Sequence, residues 1–150
     1  MAKKLTAKSL KTMSPKESEI LTTAQNAFEK FSQGLATGEW KPFLAMLTED
    51  FSFWFPVGKY QGLNVGKAKA EEFFQSVSTV FPGGLELTLE RCTNSETTVV
   101  FEVRSQGNML GHPYINQAAI SFDIRGNQVC AYREYLGVLY QLGGNQQNDS

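Results

Sequence analysis

From Leu85 onward the chain reads as strands joined by turns too short to hold a helix, which restricts the second half to antiparallel hairpins. Leu85, Leu87 and Leu89 alternate with Glu86, Thr88 and Glu90, the period-two pattern of a sheet with one wet face. Thr97 to Ser105 is rich in Val, Thr and Phe, and Thr93-Asn94-Ser95-Glu96 supplies a tight turn before it. Gly126-Asn127 supplies another, between Ile120–Ile124 and the run that begins at Val129.

The first half has helical spacing instead. Ser14-Pro15 with Glu17 three residues after the serine predicts a capped helix start, with proline where its missing N–H costs nothing. Ile20, Ala24, Ala27, Phe31 and Leu35 then recur at three or four residues and form one apolar face. Gly38 ends this helix or separates it from a second one, in which Trp40, Phe43, Leu44 and Leu47 share a side. A third helix is expected after Asn64, running through Phe73, Phe74 and Val77 to a stop at Pro82-Gly83-Gly84. Helices followed by strands define an α+β domain, with about three N-terminal helices packed on a curved antiparallel sheet.

At 150 residues the chain suits a single domain that buries roughly two-thirds of its unfolded surface. The folded part is expected over 14–142. Residues 1–13 carry four lysines with no acid and read as a flexible tail, with a cleavable targeting peptide as the alternative, although no arginine precedes Arg91. Residues 143–150 are wholly glycine or polar and read as a disordered tail.

Fourteen basic against fifteen acidic residues give no long-range field for nucleic acid or an anionic membrane, so neither is expected as a partner. No apolar run approaches the roughly 20 residues of a membrane-spanning helix. Cys92 and Cys130 are expected to be reduced thiols, which suits a cytoplasmic location. One histidine and two cysteines on separate strands offer no metal cluster of ordinary spacing, and no cofactor is expected. Gly62-Leu63-Asn64-Val65-Gly66-Lys67-Ala68 falls one residue short of a phosphate-binding loop and lacks its final Ser or Thr, so it reads as the start of the third helix.

Three further segments carry a resemblance. Gly111-His112-Pro113-Tyr114-Ile115-Asn116-Gln117, the following Ser121-Phe122-Asp123-Ile124-Arg125-Gly126-Asn127, and Tyr132-Arg133-Glu134-Tyr135 resemble the Gly-x-Pro-Tyr-x-Asn, Phe-x-x-x-Asp-Gly-Lys and Arg-Glu-Tyr-x-Asp series of the SnoaL-like proteins. These are relatives of polyketide cyclases and ketosteroid isomerases within the nuclear transport factor 2-like superfamily. The similarity covers about residues 15–140 and implies a cone-shaped fold.

The resemblance also marks what the chain lacks. The isomerase base is an aspartate before Pro-Val-Gly, and in Phe55-Pro56-Val57-Gly58 its place is taken by Phe55. The tyrosine donor of the first helix, seven residues before the closing glycine, is replaced by Phe31, and the second donor falls at Ala118 or Ile120. An oxyanion hole needs donors aimed at the developing charge, so ordinary ketosteroid isomerisation is not expected.

Other relatives place an acid on the last strand, and Glu134 is the candidate catalytic residue here. Strand alternation puts Tyr132, Glu134 and Leu136 on one face, and the family registry turns that face inward. A carboxyl against aromatic walls suits acid–base work near neutral pH. A structural role, with Glu134 neutralised by an arginine or hydroxyl, is the competing reading. Gly137 stands where the family motif has its final aspartate.

The same alternation turns His112, Tyr114, Asn116 and Ala118 one way. His112 reads as a surface-loop residue or a proton carrier at the cavity rim. Phe31, Phe53, Phe55, Phe73, Phe101, Tyr114 and Tyr132 are the expected cavity lining, with Asn116 and Glu134 as polar points for a small, mostly apolar or aromatic molecule.

Glu102, Arg104 and Trp54 fall on the opposite parity and are expected on the outer sheet face, through which members of the superfamily often form homodimers. Two functions therefore stand: a small-molecule pocket with cofactor-free isomerase, cyclase or hydratase chemistry, or a noncatalytic dimerisation or protein-interaction module.

Overall fold

The computed structural model describes residues 12–137. Most of both expected tails, together with residues 138–142 of the expected domain, lies outside the described residues.

Helix α1 spans Pro15–Thr37 and begins as its sequence requires. The Glu17 N–H donates to Ser14 Oγ at 3.0 Å, while the Ser14 N–H donates to Glu17 Oε1 at 2.8 Å, so two otherwise orphaned donors are satisfied. Gly38, in the left-handed region at φ 83°, closes the helix and donates to the Gly34 carbonyl. The expected face is buried, and Phe28 and Gly34 join it.

The second helix is shorter than expected. Helix α2 covers only Lys41–Leu44, and Leu47 instead opens strand β1 (Leu47–Phe55). Leu47 pairs with Val129 of the last strand while its side chain stays buried, so tertiary pairing takes this residue into the sheet. Trp40 packs directly on Gly34, where an added Cβ would meet the indole ring at 2.4 Å. Its Nε1–H donates to Ser78 Oγ at 2.8 Å.

After a 3₁₀ turn at Gly58–Tyr60, residues Gly62–Val65 form a short edge strand, β2, that pairs antiparallel with β1. The segment expected to begin the third helix is thus divided: Gly66, at φ 109°, turns the chain and helix α3 starts at Lys67, running to Val80. Four long strands follow, β3 (Leu85–Asn94), β4 (Thr98–Met109), β5 (His112–Arg125) and β6 (Gln128–Gly137). The β4–β5 turn holds Leu110 at φ 50° and Gly111 at φ 90°, the positive pair that a two-residue hairpin of right-handed twist requires.

The sheet order is β2-β1-β6-β5-β4-β3. Every neighbouring pair is antiparallel except β1–β6, which is parallel, so the sheet is mixed rather than purely antiparallel. A parallel pair needs a long crossover, and here everything from β2 to β5 intervenes. The helices cover one face of the curved sheet.

Phe31 of α1 sits at the centre of the core, with its ring near those of Phe28, Trp40, Phe43, Phe74, Phe122 and Tyr132. Most of these rings are tilted or edge-on, the arrangements favoured by the aromatic quadrupole.

Candidate functional site

The concave side of the sheet, with α1 and α3 across it, encloses a cavity of about 510 Å³. Helix α1 supplies Phe31 and Leu35, while α3 and the turn after it supply Phe73, Phe74, Ser76, Val77, Val80 and Phe81. Val57 to Tyr60 form one side, and the sheet contributes inward residues from β1, β3, β4, β5 and β6. A pocket of this size with mostly apolar walls and few polar groups has the ordinary anatomy of a small-molecule site.

Tyr132, Glu134 and Leu136 all line the cavity, because alternate residues of β6 face the same side. Tyr132 is almost wholly buried and donates its phenolic proton to Glu134 Oε1. Burial pushes the Glu134 carboxyl above its ordinary value, and the Tyr132 hydrogen bond acts in the opposite direction. Burial also holds Tyr132 well above the usual phenol range, reinforced by the Glu134 charge and by the hydrogen bond itself.

Tyr114 reaches the same cavity from β5. Burial raises its phenol, a hydrogen bond from Asn116 opposes the rise, and the charge of Glu134 adds to it. Ser105, on β4 and 5 % exposed, lines the wall and donates to the Asn116 carbonyl at 3.4 Å. Tyr60 Oη donates to Glu72 at 2.7 Å, and the exposed Lys59 amine stands over the Tyr60 ring, 5.4 Å from its centre.

Of the residues expected at the lining, Phe31, Phe55, Phe73, Tyr114, Tyr132 and Glu134 are brought together around one cavity. Phe53 and Phe101 are fully buried core residues and do not line it. Phe53 stacks on Phe73 at 4.7 Å and Phe101 on Phe28 at 4.3 Å, so each supports the site from within the core. Asn116 is also absent from the lining and acts on it through Tyr114. His112 is exposed at the start of β5.

Sequence reasoning missed Ser105, Leu85, Leu87 and the α3 residues after Phe73. Ser105 was accessible by parity, because it alternates in phase with Phe101 and Val103. The last turn of α3 carried no such signal, since its contribution depends on how the helix crosses the sheet.

The positions that the resemblance assigns to the isomerase base and donors, Phe55, Phe31 and either Ala118 or Ile120, all face the cavity. Each is apolar in this chain. The titratable groups that line the cavity are instead Glu134, Tyr60, Tyr114, Tyr132 and Lys59. Among the described residues no group of three His, Cys, Asp or Glu side chains is placed to hold a metal, and Cys92 and Cys130 are free thiols. No helix of the described chain is long and apolar enough to cross a membrane.

The helix-on-curved-sheet cone with an internal cavity places the chain among the nuclear transport factor 2-like proteins. Residues 28–132 match the SnoaL-like domain, and the chain belongs to that family. It is 55 % identical to a nuclear transport factor 2-like protein of Anabaena variabilis whose crystal structure superposes with a TM-score of 0.81, covering 85 % of this chain and 96 % of that one. A Jannaschia protein assigned as a SnoaL-like polyketide cyclase is 22 % identical, with a TM-score of 0.68 over 82 % of this chain and 88 % of that one. A Bacillus subtilis protein assigned as an isomerase is 20 % identical, with a TM-score of 0.65 over 78 % and 88 %. These last two establish fold alone. No curated protein matches the chain in sequence.

Proposed function

We propose that the cavity binds a small, mostly apolar molecule and that Glu134 is its proton-transferring group. The observation that carries this reading is a carboxyl on the wall of an aromatic cavity, held by Tyr132 and raised by burial. Such a group can take a proton from carbon or oxygen and return it elsewhere, which is the need of an isomerisation, a cyclisation or a hydration. The reading assigns no cofactor and suits a cytoplasmic protein with free thiols.

Native mass spectrometry of freshly purified protein is the first test, followed by turnover assays on whatever molecule is retained. A stoichiometric extra mass that is lost when Ala118→Phe fills the cavity supports the reading. With that molecule as substrate, Glu134→Gln should abolish turnover while binding persists. Undiminished turnover in Glu134→Gln removes Glu134 from the chemistry.

A second reading concerns the outer sheet face. Trp54 and Tyr135 pack there with ring centres 5.3 Å apart, beside Leu63 and Val65, which are 69 % and 63 % exposed. Apolar side chains so exposed on paired strands favour a covered face, and a second copy of the chain is the proposed cover. Sedimentation analysis of Leu63→Asp tests it: a wild-type dimer that becomes a monomer supports the contact, and an unchanged mass removes it.

A further inference from the structure

The hydroxyl protons in the cavity are mostly engaged by the protein itself. Ser76 Oγ donates to the Phe73 carbonyl at 2.6 Å and Ser105 Oγ to the Asn116 carbonyl at 3.4 Å. Tyr60 donates to Glu72 and Tyr132 to Glu134. Tyr114 accepts from Asn116, and its phenolic proton is the one cavity hydroxyl proton with no acceptor among these contacts. A hydroxyl whose proton is engaged offers a ligand only its lone pairs, and an ionised carboxylate offers nothing else. The wall is therefore rich in acceptors, its carboxyl is Glu134, and the cavity's lysine, Lys59, is exposed.

The geometry points to a lipophilic amine as the ligand class: an apolar body filling the aromatic cavity, with one ammonium group donating to Glu134. This inference rests on the reading of the cavity as a small-molecule site. An ammonium supplies donors to a wall whose free donors are the Tyr114 phenol and the exposed Lys59 amine, and it adds a charged partner to a carboxylate that otherwise has the Tyr132 hydroxyl. An anionic ligand of the same shape meets like charge at Glu134. A neutral alcohol satisfies one acceptor but leaves the charge uncompensated. Burial disfavours the ionised form of Glu134, and an ammonium partner acts against that effect. The other titratable groups lining the cavity are Tyr60, Tyr114, Tyr132 and Lys59.

Calorimetry on three biphenyl compounds of matched shape tests the class: 4-phenylbenzylamine, 4-phenylbenzyl alcohol and 4-phenylbenzoate, each titrated at pH 7 into wild type and Glu134→Gln. The amine should bind wild type at least about tenfold more tightly than the alcohol, as one charge-assisted hydrogen bond warrants, with the benzoate weakest. Glu134→Gln should bring the amine to the level of the alcohol. In wild type, amine affinity should fall as the pH is lowered and Glu134 takes up its proton, while alcohol affinity does not fall in parallel. That pH series carries the test if Glu134→Gln proves unstable. Benzoate binding as tightly as the amine, an amine preference that survives Glu134→Gln, or an amine affinity indifferent to pH overturns the inference. Alcohol binding without amine preference overturns it but leaves the pocket reading intact. Failure of all three compounds to bind removes both.

Discussion

Tyr132 donates its phenolic proton to Glu134, two residues further along the same strand and on the same face of it. The contact holds one oxygen of the half-buried carboxyl and lowers a pKa that burial raises. Tyr132→Phe removes the opposing influence and leaves the burial. The Glu134 carboxyl should then titrate at higher pH than in wild type, measured by carbon-13 NMR of the labelled side chain. A downward shift would show that the Tyr132 contact favours the protonated carboxyl instead.

Glu134 also makes stability depend on pH. Its carboxyl is raised from the ordinary value of 4.5, so the folded state binds more protons than the unfolded state above that pH. Stability from this group consequently falls as pH rises from 4.5 through the folded value, and is unaffected below 4.5. Glu134→Gln should melt at higher temperature than wild type at pH 7, with the gap closing near pH 4. A gap of constant size across that range contradicts the assignment.

Asp123 has the opposite sign. Burial raises its carboxyl, but hydrogen bonds from Arg133 and Thr98 and the charge of Arg133 prevail, so it ionises below the ordinary 3.8. Arg133 reaches both carboxylate oxygens, at 2.6 and 3.0 Å. The pair's stabilisation is present above 3.8 and is lost as pH falls through the lowered value. Asp123→Ala should cost about 1–2 kcal/mol at neutral pH, since the pair is partly screened by water. The loss should shrink in acid unfolding measurements below pH 3.

Gly34 is constrained by Trp40 rather than by the helix that contains it. An alanine there meets the indole at 2.4 Å. Displacing the indole also endangers its hydrogen bond to Ser78. Overpacking of this kind costs roughly 1–3 kcal/mol, against about 1 kcal/mol gained from helix propensity. Gly34→Ala should therefore lower the urea midpoint, with an accompanying change in tryptophan emission. A raised midpoint would mean the ring has room to move.

Ala118 is packed against the core but lines the cavity, so a larger side chain there has the cavity to enter. Ala118→Phe should reduce binding of the preferred biphenyl probe at least about tenfold, while the melting temperature does not fall. Unimpaired binding would place the ligand outside the cavity.

Much of this protein was legible in its sequence. Ser14 and Glu17 fixed the start of α1 because a capping box is local chemistry, and the spacing of Ile20 to Leu35 set its buried face because side-chain direction follows helical period. Parity along β6 placed Tyr132, Glu134 and Leu136 together for the same reason. Local rules did not reach the short strand Gly62–Val65, whose existence depends on β1 lying beside it, or the parallel pairing of β1 with β6. Nor did they separate Phe53 and Phe101, sealed in the core, from Phe31, Phe55 and Phe73 on the cavity wall. All five are phenylalanines on inward faces. Only the crossing of α1 and α3 over the curved sheet decided which rings fill space and which surround it, because that choice is made by packing between elements distant in the chain.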